Sequence, residues 1–160
     1  MKIKKFISVS WKYFNLFFEK LQPLGDLFIR CWVAKFFIAS GMTKILSWSS
    51  TLTLFQYEYM VPFLTPAIAA SISVVVELGV TTLLILGLGG RLPALVLFVF
   101  NIMAVVSYPV LLMKGGEIGL KDHICWGIIL LVILLHGTGK LSLDQVIWWW
   151  YKKSNPSNAK

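Results

Sequence analysis

Apolar positions dominate four stretches of the chain, and each stretch ends in glycine, proline or charged residues. The first runs from about Leu27 to Leu46, the second from about Ala67 to Leu86, the third from about Leu92 to Met113, and the fourth from about Ile124 to His136. A bilayer core roughly 30 Å thick takes about 20 apolar residues as one helix, so each stretch is read as a transmembrane helix. Pro62 and Pro66 close the loop before the second, and Gly87, Gly89 and Gly90 open the turn after it. Pro109 should kink or end the third. The predicted fold is all-α: an integral membrane four-helix bundle spanning residues 23–140, with amphipathic interfacial helices at the N- and C-termini.

The flanks carry that second kind of helix. Over residues 1–22, Lys5, Ser8, Lys12, Asn15 and Glu19 recur at steps of three and four among Phe6, Trp11, Phe14, Phe17, Phe18 and Leu21, a pattern for a helix lying in the membrane plane. A secretory signal is the competing reading. Lys12 interrupts the first apolar run and Arg30 and Lys35 the next, so no clean apolar core or cleavage site exists and the segment is expected to be retained. Over residues 141–160, Ser142 and Gln145 fit a capping box that opens a last helix, where Trp148, Trp149, Trp150 and Tyr151 precede Lys152 and Lys153. Trp11 and these three tryptophans are expected interface anchors.

Charge sets the orientation. The net charge of +8 resides mostly in the flanks. Lys2, Lys4, Lys5, Lys12, Lys20, Arg91, Lys140, Lys152, Lys153 and Lys160 fall on one side, against Lys114 and Lys121 on the other. Both termini of this multi-pass membrane protein are then cytoplasmic. The segment 47–65, with Glu58 and neither Lys nor Arg, faces outward, its Phe55, Tyr57, Tyr59 and Phe63 dipping into the outer interface. A basic balance distributed this way argues for lipid, not nucleic acid, as partner. Cys31 and Cys125 form no CxxC motif and fall near opposite membrane faces, too far apart for a disulfide.

The few charges inside the apolar stretches are the candidate chemistry, because each costs up to roughly 2.5 to 3.5 kcal/mol at mid-membrane. At about 100° per residue, Ala34, Phe37, Gly41 and Lys44 fall within about 40° of Arg30, on a face that must look inward. Small Ala34 and Gly41 would let a neighbouring helix approach. Lys35, about 140° away from Arg30, reads as a snorkelling or partner-facing lysine. The second helix carries the stripe Ala70, Ser73, Glu77, Thr81 and Leu84, and the third the stripe Ala94, Asn101, Ala104 and Tyr108. Counting from the helix ends at about 1.5 Å per residue puts Glu77, Asn101 and Lys35 near mid-membrane, Arg30 nearer the cytoplasm and Lys44 near the outer surface. A buried carboxylate needs a cation or a proton, and the expected contact is Arg30 to Glu77 with Asn101 as third member. Two readings stay open: a polar clamp that fixes helix register, or a site for a quinone-like headgroup or a proton step.

Other chemistry is thin. His123 and His136 lie about 20 Å apart along one helix, which excludes bis-histidine haem within the chain, and no metal site is expected. Asp122, His123 and Glu117 form either an outer polar cluster or ordinary solvated loop residues. The turn from Gly87 to Arg91 lacks the preceding strand of a dinucleotide loop.

The order Arg30, Phe37-Ile38-Ala39-Ser40-Gly41-Met42-Thr43-Lys44, Glu77-Leu78-Gly79, Leu86-Gly87, Gly90-Arg91 and His136-Gly137-Thr138-Gly139-Lys140-Leu141-Ser142-Leu143-Asp144 resembles the DoxX family of small four-helix membrane proteins, over residues 27–145. The resemblance implies Arg30, Lys44, Glu77 and Arg91 as the family's recurrent polar set, with Gly41 and Gly87 among its motif glycines. It also implies links to quinol oxidase subunits, to thiosulfate:quinone oxidoreductase and to membrane assemblies handling thiol or oxidative stress. The aromatic N-terminal segment and Trp148 to Trp150 look like additions, and Thr138 replaces the proline of a Gly-Pro-Gly-Lys motif; docking surfaces are the expected consequence.

The leading expectation is an accessory subunit or quinone-associated component of a membrane redox system, with no metal or flavin of its own and a quinone as the one ligand the resemblance admits. The alternatives are a structural or assembly subunit docked on other membrane subunits or on a second copy, and a small transporter or lipid-binding bundle.

Overall fold

The computed structural model describes residues 2–154, with side chains from Ser10 onward. The side chains of Lys2, Lys4, Lys5, Phe6 and Ser8, and the tail 155–160 with Lys160, lie outside the described residues.

Helix α1 (Lys2–Leu46) is 45 residues long, so at about 1.5 Å per residue it is about twice as long as a bilayer core is thick. The sequence separates residues 1–22 from a crossing beginning near Leu27, whereas this helix runs unbroken through both. Pro23 lies inside it. Proline removes one backbone donor, and the helix-favouring residues Glu19, Lys20, Leu21 and Gln22 carry the chain across the missing bond.

The segment 47–65, read from the sequence as a loop, contains a further helix, α2 (Trp48–Tyr57). Two of its four expected interface aromatics turn inward. Phe55 packs with Ala69 and Ala70, and Tyr59 meets both Phe55 and Tyr108 edge-on, at centroid distances of 4.8 and 5.0 Å. Tyr57 and Phe63 stay exposed.

Helix α3 (Pro66–Leu86) starts with proline at its first turn, where an amide donor would lack a partner anyway. Its centre, Val75–Val80, widens to a π-helical turn that carries Glu77. Gly87, left-handed at φ +66°, ends it, and the Leu88 amide donates to the Leu83 carbonyl at 3.0 Å. Helix α4 (Leu92–Ser107) stops where Pro109 forces Tyr108 out of helical geometry, and a short 3-10 turn, Pro109–Leu112, follows. Helix α5 (Glu117–His136) starts about two turns earlier than its apolar run. The run marks apolar positions, so it misses the two mixed turns Glu117 to His123, where Glu117, Lys121, Asp122 and His123 are helical all the same. Helix α6 (Leu143–Ser154) closes the described chain.

Helices α1, α3, α4 and α5 meet in a core of Val33, Phe37, Leu84, Ala94, Leu97, Leu130 and Ile133. Among the described residues all regular structure is helical. Helices α3 and α5 are long and apolar enough to cross a membrane, yet only 33% and 17% of their apolar windows are buried in the protein. The core helix of a water-soluble protein would be mostly covered. Here Ile68, Ile72, Val75 and Leu83 of α3, and Ile124, Ile128 and Leu135 of α5, are exposed, and a surface of this kind requires lipid or another protein.

Candidate ligand site

Gly41 sets the register of the site. A Cβ built there would stand 2.7 Å from Leu78 Cδ2 and 3.1 Å from Glu77 Cβ, so α3 crosses α1 at this level because residue 41 has no side chain. Lys44 lies one helical turn beyond Gly41, and Arg30 about 16 Å behind it. Glu77, 4% exposed, therefore pairs with Lys44 and not with Arg30, which corrects the expected contact. Lys44 Nζ donates to Glu77 Oε1 and Oε2, both at 2.8 Å, and to Ser40 Oγ at 2.7 Å. Ser40 in turn donates to Glu77 Oε1 at 3.1 Å. All three ammonium donors of Lys44 are thereby used. Sequence reasoning missed Ser40, although its spacing of four from Lys44 was a usable signal.

Arg30, only 1% exposed, is satisfied by backbone carbonyls. Its Nη1 donates to the Leu84 and Ile85 carbonyls at 3.3 and 3.2 Å, its Nη2 to that of Leu141, and its Nε to that of Asp26 at 3.4 Å. A cation thus sits on the last carbonyls of α3, where the helix presents unpaired acceptors and partial negative charge. Gly87 is confined by the same knot, since a side chain there would run into Arg30 and Ser142. Around it, Asp144 accepts from the Gly90 amide at 2.6 Å and the Gly89 amide at 3.2 Å, and Ser142 Oγ accepts from the Gln145 amide at 3.3 Å, the capping half of the predicted box.

Asn101 joins neither cation. Its Nδ2 donates to the His123 carbonyl at 2.9 Å, and its Oδ1 lies 2.8 Å from His123 Nδ1. Gly127 leaves room for this contact, a Cβ there falling 3.2 Å from Asn101 Nδ2. Because α5 begins at Glu117, His123 is a partly buried helical residue, whereas Asp122 and Glu117 remain exposed.

Between the Glu77 and His123 groups lies a cavity of about 400 Å³. Its lining is mostly apolar, with Phe55, Leu64, Ile72, Val99, Phe100 and Met103, and includes the polar residues Lys44, Glu77, Ser73, Tyr59, Tyr108 and His123. Ser73 is buried with no hydrogen-bond partner for its hydroxyl, as is Thr81 one turn beyond Glu77 on the same stripe. Burial, with Tyr108, Glu77 and Glu58 nearby, pushes the Tyr59 phenol above its usual range and keeps it protonated. This combination of apolar walls and a few convergent polar groups is the usual form of a small-molecule pocket.

The remaining candidates stay apart from the cavity. Arg91 is exposed at the start of α4. Trp11, Trp148, Trp149 and Trp150 are exposed, with Lys152 and Lys153 over the rings of Trp148 and Trp149 at 3.7 and 5.3 Å. Lys35 is exposed over Phe36 and Trp32, at 4.7 and 5.3 Å. Cys31 and Cys125 are both free and exposed.

The family model for DoxX matches residues 25–109, just over half of the chain. The chain belongs to the DoxX family. No curated protein and no solved structure matches it. Membership in DoxX, with the two long apolar helices, points to a membrane protein in contact with the bilayer. The DoxX match takes in Arg30, Lys44, Glu77, Arg91 and Asn101 and ends at Pro109, so His123 lies beyond it.

Proposed function

We propose that this DoxX protein spans an inner membrane with α1, α3, α4 and α5 as a four-helix bundle, both termini cytoplasmic, and serves as a quinone-associated component of a membrane redox system. The basic residues of the flanks support the orientation. In that orientation the cavity, with Phe55 of α2 in its lining, lies in the outer half of the membrane. A single observation carries the ligand reading: a cavity of about 400 Å³ has a mostly apolar lining that includes a few polar groups, among them Glu77, Tyr59 and His123, which suits a molecule with a ring headgroup and an apolar tail. Electrons would pass to and from such a ligand through a partner, with this chain holding it.

The test is purification from native membranes in mild detergent, followed by solvent extraction and quantitation of bound quinone. Wild-type protein should retain quinone, and a Glu77→Gln variant of equal thermal stability should lose most of it. Wild-type protein recovered in fixed stoichiometry with another subunit and free of quinone would overturn this in favour of an assembly role. That second reading has its own support in α6, which among the described residues buries no side chain and presents Trp148, Trp149 and Trp150 outward.

A further inference from the structure

The hydrogen bonds around His123 determine which of its ring nitrogens carries the proton. The backbone carbonyl of His123 can only accept, so the amide nitrogen of Asn101 must face it, as the 2.9 Å contact has it. That leaves Asn101 Oδ1 toward the imidazole at 2.8 Å. A carbonyl oxygen also only accepts, so His123 Nδ1 must be the protonated nitrogen of the neutral ring. Nε2 then keeps its lone pair, and among the described residues it has no partner.

No other polar group of the cavity lining offers a ligand a fixed donor. The three donors of Lys44 are spent on Glu77 and Ser40, and the Ser40 hydroxyl donates to Glu77. The hydroxyls of Tyr59, Tyr108 and Ser73 can donate or accept as needed. His123 has one fixed role. From this we infer that the cavity selects the reduced, hydroxyl-bearing form of its ligand, a hydroquinone, whose O–H donates to His123 Nε2. A quinone carbonyl at the same place would set two acceptors against each other. The inference rests on the ligand reading above and deepens it.

The experiment uses the full chain in detergent under anaerobic conditions, with equilibrium dialysis of two probes: a decyl-tailed benzohydroquinone and its dimethyl ether, which has the same ring and tail but no donor. The hydroquinone should bind about three- to tenfold more tightly than the ether, the contribution of one hydrogen bond. In His123→Phe its affinity should fall to that of the ether, and unchanged ether binding shows that the fold is intact. Asn101→Leu keeps the imidazole but frees its tautomer, and should give an intermediate preference. Equal binding of both probes to the wild type, or a preference that survives in His123→Phe, overturns the inference while the ligand reading stands. Binding of neither probe overturns both.

Discussion

Lys44 Nζ stands 2.8 Å from each carboxylate oxygen of Glu77, at the level where Gly41 brings α1 and α3 into contact. Both side chains are largely removed from solvent, at 16% and 6% exposure. Breaking such a pair from one side leaves an uncompensated charge, at about 3 to 5 kcal/mol, whereas replacing both partners by apolar residues of similar size costs much less. Lys44→Met and Glu77→Leu should each lower the thermal midpoint in detergent sharply, and the double variant should recover much of the loss. A double variant whose loss equals the sum of the two single losses would show that the pair is not coupled.

The approach of α1 and α3 gives a second prediction. Gly41→Ala puts a methyl group against Leu78 and Glu77, and overpacking of this kind costs about 1 to 3 kcal/mol. Gly79→Ala meets nothing within 4 Å and should leave stability within about 0.5 kcal/mol of wild type. Thermal unfolding of the two variants side by side separates a specific close contact from a general intolerance of alanine.

Arg30 offers a third. Arg30→Met should strand the Leu84, Ile85 and Leu141 carbonyls, each costing about 1 to 3 kcal/mol where no water replaces the guanidinium. Arg30→Lys should recover only part of this, because an ammonium cannot reproduce the fork of donors. Hydrogen exchange should rise first at residues 86–91 and 141–145, the two turns that follow the carbonyls bound by the guanidinium. Protection unchanged there in Arg30→Met would show that the guanidinium does not hold these two turns together.

Tyr59 predicts a pH dependence. Its phenol titrates above the usual 10.0 in the folded protein, so as pH rises the unfolded chain loses that proton first. Above the unfolded value the native state binds more protons, and stability falls. The contribution is fully present below about pH 10 and is lost as pH rises through the raised folded value. Unfolding midpoints measured from pH 8 to 11 should decline less steeply in Tyr59→Phe than in wild type.

Periodicity along each helix is a local property, and on that level the sequence determined a good deal. It marked the apolar stretches, the end of α4 ahead of Pro109, the cap at Ser142, and the inward stripe Ala70, Ser73, Glu77, Thr81 and Leu84, all five of which are buried. Which residues meet across helices depends on their axial offset, and no spacing within one helix contains that number. Contact at Gly41 fixed the offset, giving Glu77 to Lys44 and leaving Arg30 more than a side chain's reach below. Backbone carbonyls then became the partners of Arg30, and carbonyls leave no mark in a hydrophobic pattern. The same holds for His123, whose place beside Asn101 depends on the early start of α5 at Glu117 and on the close approach at Gly127, both decided only when the helices pack.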